Sequence, residues 1–594
     1  MITQGKRTKP SQVRVDHGAV SGLSAPRLGL LAAVVAVLAG LYAGLSAPAD
    51  AVDGHGTAAA LPLLYWIAVA VAALATVVLL WTAAQGASSS DAAVPFVWLL
   101  LLHTAPQLVA ENAGGTAAWN NVGLVRLVGE TRGADAVVDG RLAWPGFFAA
   151  LAAPLGDLGP EYVDLLLRLW PSAVTGAIAV LVAGLGRRAY PTHPMVGSLS
   201  ALVYVLAAWT GHDHFSPDSL GLLLFVSLIA LMESGPLRSR SAWSASVPLL
   251  SRFAVSGGDR PASQATTVFV TLVVLGLAAV AADPVSTSFL LLALLMLGLY
   301  GRAVAWRLLV LLGAVTVLWA LVVADPVWSA DGVGLSGIFA DGLDKLGPAT
   351  DQSGTPSPAH LLVDRVRLGL VAAALAMTAL VAVAMAGERR RHLRPATPLV
   401  PLTIVCLIGL APTGVGMASI TEVYAFALPF ISVILGRLLA GVGARNLPIA
   451  GAVLALALSP ALVLARFGDD SFQRSTDADR AAVEAGYAAA DGDTLFVADN
   501  RHLPWRDQAL AGNTFALVPA SADDAWLTQM RSQASAAGKG RIVVYLTASQ
   551  QAWRVHGLGD STSDLDEVAA WLRNQPGTEL LYGEGSSWAI EVQP

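Results

Sequence analysis

Side chains that could do chemistry are sparse in this chain, and the densest group lies between Glu111 and Glu161, with long apolar runs on both sides. It contains Glu111, Glu130, Asp135, Asp139 and Asp157 together with Arg126, Arg132 and Arg141. Two amphipathic pieces, Val122–Val128 and Trp144–Leu155, are too short to cross roughly 30 Å of hydrocarbon. An acidic, aromatic-edged segment lying on a membrane face points to work on something presented at the lipid surface. The competing reading is a solvated connector with interfacial helices.

Three further polar loops separate apolar runs: Gly211–Asp218 (GHDHFSPD), Asp283–Thr287 (DPVST), and the longer 325–360 segment with Asp331, Asp341, Asp344, Lys345 and Asp351. Charged and imidazole groups at the edge of a membrane are costly to bury, so they face water, a partner or a cavity. His212, Asp213 and His214 are metal-ligand types, but adjacent side chains rarely converge on one ion, so a divalent metal is not predicted. A carboxylate serving as a general base must reach the hydroxyl it deprotonates. Asp218 and Asp283 have a second reading as caps of the helices they precede, and capping is the expectation for Asp218, beside Pro217.

These loops need a scaffold, and the composition says which kind. The chain has 594 residues, of which 55% are hydrophobic and 13% charged. With a mean hydropathy of +0.61, it reads as an integral membrane protein. The single cysteine, Cys406, excludes an intrachain disulfide and argues against thiol–metal chemistry. Residues 1–27 form a polar, basic tail expected in the cytoplasm, with no convincing cleavage site after it.

Residues 28–466 form the expected membrane domain. Spans are expected at 28–47, 61–83, 93–110, 163–185, 194–210, 217–233, 266–282, 286–302, 305–323, 361–386, 397–412, 420–440 and 447–465, about thirteen in all. Lys and Arg concentrate in alternate loops: Arg187–Arg188, Arg238 to Arg260, Arg302 with Arg307, Arg389 to Arg394, and Arg445. The intervening loops 46–61, 211–218, 282–287 and 411–421 have none, so the positive-inside rule places them and the C-terminus outside, with the 111–161 loop a partial exception whose acids outnumber its three arginines.

Beyond Arg466 the composition becomes that of a soluble domain, 467–594. Asp493–Ala498 and Arg541–Thr547 read as strands, Leu580–Tyr582 with Trp588–Val592 as a hairpin, and Asp564–Asn574 as a helix. No phosphate loop, metal-spaced cluster or nucleophile elbow occurs there, so a lid or substrate-recognition domain is expected. The fold class is therefore mainly α, a polytopic membrane protein with a small C-terminal extracytoplasmic α/β domain.

Four stretches carry a family resemblance: AAWNNVGLVRLVGETRG with DGRLAWPGFF, HDHFSPDSLGLLLFVSLIAL, DPVSTSFLLLALL and EVYAFALPF. In this order they resemble the bacterial multi-spanning GT-C-type glycosyltransferases that use polyprenyl-phosphate-linked sugars. The tail RIVVYLTASQQAW…LLYGEGSSWAIEV resembles their terminal domain, so the likeness extends over about 93–594. The chain departs from the pattern at Asp283 (His expected), at Asp218 (Gln usual), near Glu422 (Arg expected), and at Gly414–Met417, where an acidic element is missing.

The resemblance implies inverting transfer from a lipid-phosphate sugar to an envelope glycan or glycolipid. Glu111, then Asp139, would be the base, and Arg126, Arg132 and Arg141 would counter the phosphate. His212, Asp213, His214 and Asp283 would line the same cavity. The implied partners are the bilayer, the lipid-linked donor, the acceptor and other envelope-assembly proteins; no firm cofactor and no nucleic acid are expected. The rival readings are a catalytically silent scaffold or regulator and, with neither repeats nor deep charges to support it, a transporter of lipid-linked material.

Overall fold

The computed structural model describes residues 24–48, 54–86, 90–109, 115–131, 140–156, 158–210, 214–233, 262–299, 302–322, 356–387, 402–403, 420–500, 502–504, 514–560 and 564–594. Helix α1 (Ala25–Ser46) packs along α2 (Leu63–Ala84). The third apolar segment starts as α3 (Ala93–Leu99), widens into a π turn (Leu100–Thr104) and tightens into a 3-10 turn (Ala105–Leu108).

Two helices follow in the large polar loop, α4 (Gly115–Thr131) and α5 (Gly146–Gly156). Long apolar elements resume with α6 (Pro160–Ala189), α7 (Val196–Ala207), α8 (Pro217–Met232), α9 (Ala262–Ala282), α10 (Pro284–Leu299) and α11 (Ala303–Val322). The bundle closes with α12 (Pro358–Gly387), α13 (Ile420–Gly441) and α14 (Leu447–Phe467). Every expected span except 397–412 has a helix at its place; that one lies almost wholly outside the described residues.

By length and composition, six of these helices are fit to cross a membrane: α1, α2, α6, α11, α13 and α14. Helices α7, α8 and α10, and the 266–282 stretch of α9, are shorter but equally apolar. The outward sides of the long helices α1, α2, α6 and α11 carry bare Leu, Val and Ile, as at Leu38, Ile67, Leu74, Val180 and Val317. Such continuous exposed hydrocarbon is what a lipid solvent, not water, accommodates. Inside, aromatic rings fasten the bundle: Phe289 stacks on Phe426 at 4.3 Å, and Phe225 meets Phe426 edge-on at 5.3 Å.

Contacts sort the helix ends into two faces. On one, Arg466 Nη1 donates to Ala208 O (3.2 Å), Trp319 Nε1 to Ala143 O (2.8 Å) and Asn121 Nδ2 to Phe215 O (2.9 Å). On the other, Arg188 Nη1 donates to Ala230 O (2.7 Å), and Arg302 pairs with buried Glu233 through two bonds of 3.1 and 3.0 Å. Arg187, Arg188, Arg302, Arg437 and Arg445 all sit toward this second face, at the ends of α6, α11, α13 and α14.

The C-terminal domain stands on the first face. Its sheet runs in the order β2-β1-β3-β5-β4, built from β1 (Thr494–Ala498), β2 (Thr514–Leu517), β3 (Arg541–Leu546), β4 (Thr578–Glu584) and β5 (Ser587–Val592). The first three strands are parallel, and β4 and β5 form an antiparallel hairpin at one edge. Helices α15 (Asp477–Ala489), α16 (Asp524–Ala536), α17 (Ala548–Ala552) and α18 (Leu565–Arg573) complete the domain. One sheet face packs with α16 and α18, and the other, with α15, joins a core shared with α4 and α5.

Candidate functional site: a polar loop roofed by the C-terminal domain

Helix α4 lies under the C-terminal domain because its residues suit both neighbours. Trp119, Val122 and Val125 share a core with Val483, Phe496 and Tyr545, while Asn121 turns toward the membrane bundle. The guanidinium carbon of Arg480 lies 4.6 Å above the Trp119 ring, a cation–π contact from the domain to the loop. Gly115 opens α4 at φ +66°, and a Cβ there would sit 2.7 Å from Gln473 O, so glycine is required for this close approach.

Phe215 is where the separate loops meet. Its carbonyl accepts from Asn121, and its ring contacts Phe147 at 5.0 Å and Trp170 at 5.1 Å. Gly146, opening α5, packs on the last turn of α9, where an added Cβ would lie 2.7 Å from Ala281 O. That turn leads directly into Asp283. The large loop, the 214–218 segment and Asp283 therefore border one region of the first face.

Asp283, the single residue between α9 and α10, is buried. Ser286 N donates to its Oδ2 (2.6 Å) and Val285 N to its Oδ1 (3.3 Å), while Pro284 has no N–H to satisfy. Burial first, and then the charge of Asp218, push the Asp283 carboxyl up to about 7. A Cβ on Gly221 of α8 would lie 2.7 Å from Ser286 Cβ and 3.1 Å from Asp283 Oδ2, so α8 and α10 touch at this point.

The expected cap at Asp218 is corrected: Ser216 caps α8, its hydroxyl accepting from Ser219 N at 3.2 Å, and Asp218 lies in the first turn. A serine in extended conformation before Pro217 supplies the oxygen that the backbone reaches first.

The remaining candidates fall as follows. Arg126 lies on α4, where burial lowers its pKa while Glu484 of the C-terminal domain and Glu130 favour its charged form. His214 is half-buried, one residue before Phe215. Glu111, Asp139, Arg132, His212 and Asp213 lie outside the described residues, and Arg141 has a described backbone but not a described side chain.

A second polar group ties the domain to the bundle and escaped sequence reasoning. His360 Nδ1 meets Asp469 Oδ1 at 2.9 Å, and Arg367 Nη1 meets Asp469 Oδ2 at 2.6 Å. His360, Asp364 and Asp469 bring ligand-type atoms within 4.8 Å of one another, a separation that could hold a metal ion. Arg367, also 3.3 Å from Asp364, already brings a positive charge to both acids, so a salt-bridge network accounts for them. Beside it, Asp470 bonds Thr57 and pairs with Arg474 at 3.2 Å. The signal was faint, because Asp469–Asp470 directly follows an apolar helix and resembles an ordinary loop start.

No protein-family model matches the chain, and no curated protein does. Among solved structures, it is similar to the crystal structure of ArnT from Cupriavidus metallidurans bound to undecaprenyl phosphate. That match has a TM-score of 0.47 at 11% identity and covers 85% of this chain and 98% of the other. It is also similar to the apo form of the same protein, with a TM-score of 0.45 at 13% identity, covering 86% of this chain and 100% of the other.

Proposed function

We propose that this chain is a membrane glycosyltransferase that moves a sugar from a polyprenyl-phosphate donor to an envelope glycan or glycolipid. The observation that carries this reading is the convergence at Phe215: the large acidic loop, the 214–218 segment and Asp283 meet at one face, roofed by the C-terminal domain. These are the stretches whose sequences resemble the GT-C-type enzymes. The arginine-bearing second face would be cytoplasmic under the positive-inside rule, which makes the roofed face extracytoplasmic.

In this reading Glu111, or else Asp139, takes the proton from the acceptor hydroxyl as it attacks the anomeric carbon. The departing phosphate is countered by Arg126, Arg132 and Arg141. Attack from the side opposite the phosphate inverts the anomeric centre. His212, Asp213, His214 and Asp283 form the wall of the site. A second reading, a catalytically silent scaffold, draws on one observation: both Asp283 oxygens serve the α10 cap where the resembled family has His.

The test is Glu111→Gln and Asp139→Asn in the full chain, with membrane accumulation checked and envelope glycans compared. Loss of a glycan in either variant at normal abundance supports the enzyme. Unchanged glycans in both variants, where deletion of the whole chain alters them, support the scaffold.

A further inference from the structure

Toward the face away from the C-terminal domain, α3, α6 and α7 leave a cavity of about 390 Å³. Its wall on α6 mixes small residues, Gly176, Ala183 and Gly184, with Val180 and Leu181, and Phe96 of α3 edges it with 56% of its surface exposed. Arg187 and Arg188 stand at its outer end. Arg188 donates to Ala230 O at 2.7 Å, and neither guanidinium has a carboxylate partner among the described residues.

Between Gly176 and the arginines the slot is lined by apolar side chains apart from Ser198, and a largely apolar slot at bilayer depth is filled by hydrocarbon. From Gly176 to Arg187 the slot follows α6 for roughly 17 Å at about 1.5 Å per residue, close to the depth of one leaflet. Paired arginines at its end lie at headgroup level, where a basic pocket between membrane helices selects anionic lipid. We propose that this slot is a binding site for one anionic phospholipid, with an acyl chain along Gly176–Gly184 and the phosphodiester against Arg187 and Arg188. The site lies at the opposite face from the loops at Phe215 and does not depend on the transfer reading.

Native mass spectrometry of the full chain in detergent tests it, with phosphatidylglycerol titrated against phosphatidylcholine of the same chains. One phosphatidylglycerol is retained with about tenfold preference, the size of one charge-assisted contact. Arg187→Gln with Arg188→Gln removes the preference. A Cβ at Gly184 meets nothing within 4 Å, so Gly184→Phe fills the slot while both arginines remain, and occupancy falls severalfold. Should the arginine pair be needed for folding, the Gly184→Phe result alone decides. Equal retention of the two lipids, occupancy unchanged by Gly184→Phe, or full competition by chain-free glycerophosphoglycerol would overturn the proposal.

Discussion

Arg480 of the C-terminal domain lies over the face of Trp119 in the large loop, its guanidinium carbon 4.6 Å from the ring centroid. The pair fastens the domain to the helix that carries Arg126, and Arg126 in turn senses Glu484 one turn along the same domain helix. Removing Arg480 takes away the cation–π contact and leaves Trp119 in the core it shares with Val483, Phe496 and Tyr545, so the seam weakens without a cavity. Arg480→Ala should cost about 1 kcal/mol, in the range for a partly desolvated cation–π contact. Amide exchange should quicken across 115–131 and 477–489 together. Exchange that quickens in only one of the two segments contradicts a shared seam.

Asp283 predicts a pH dependence with a definite sign. Its folded pKa, about 7, lies above the ordinary 3.8, so below the ordinary value both folded and unfolded chains hold the proton and the stabilising contribution is complete. As pH rises toward 7 the unfolded chain releases the proton first, and stability falls until the folded carboxyl also ionises. Asp283→Asn keeps an oxygen for the cap and removes the titration. Its thermal midpoint in detergent should exceed that of the parent at pH 8 and match it near pH 4. An identical pH profile for both proteins rejects the assignment.

Gly221 predicts a steric effect. With Ser286 Cβ and Asp283 Oδ2 so near, Gly221→Val forces α8 from α10 and should cost about 1–3 kcal/mol, as overpacking does. The measurement is the thermal midpoint in detergent, with Gly313→Val as control because a Cβ at Gly313 meets nothing within 4 Å. Equal loss in both variants would mean that helix propensity, not contact, sets the cost.

His502 predicts acid sensitivity at the base of the C-terminal domain. It is stacked on Trp553 at 4.6 Å and edge-on to Phe472 at 5.7 Å, and burial pushes its pKa down to about 4. The folded chain holds it neutral, so stability is lost as pH falls from its ordinary 6.5 toward 4. His502→Phe, which keeps an aromatic face, should shift acid unfolding followed by tryptophan fluorescence to lower pH. An unmoved transition removes His502 from the account.

Much of this architecture could be read from the sequence, for a physical reason: hydrocarbon imposes long apolar runs, so α1, α2 and α14 announce themselves within a few residues of their ends. In the soluble domain the buried strands β1 and β3 were equally legible. The short strand β2 and helices α15 and α16 were not, because four half-exposed residues and Ala-rich helical pieces carry little periodic signal. The Ser216 cap is not legible locally, because serine and aspartate flank Pro217 and both are capping types. The seam of Trp119 with Arg480 and the pairing of His360 with Asp469 join residues far apart in sequence, and no local pattern encodes them.

Transfer itself remains the most direct test. The full chain is reconstituted in liposomes with a panel of polyprenyl-phosphate-linked sugars, and release of free polyprenyl phosphate is followed with and without extracted envelope glycolipid. At least one donor should be consumed in an acceptor-dependent manner, and Glu111→Gln or Asp139→Asn should slow that release by a hundredfold or so, the usual scale of general-base catalysis. Lack of donor consumption by the folded parent chain, or equal rates in the parent and both variants, would contradict sugar transfer at the roofed loop.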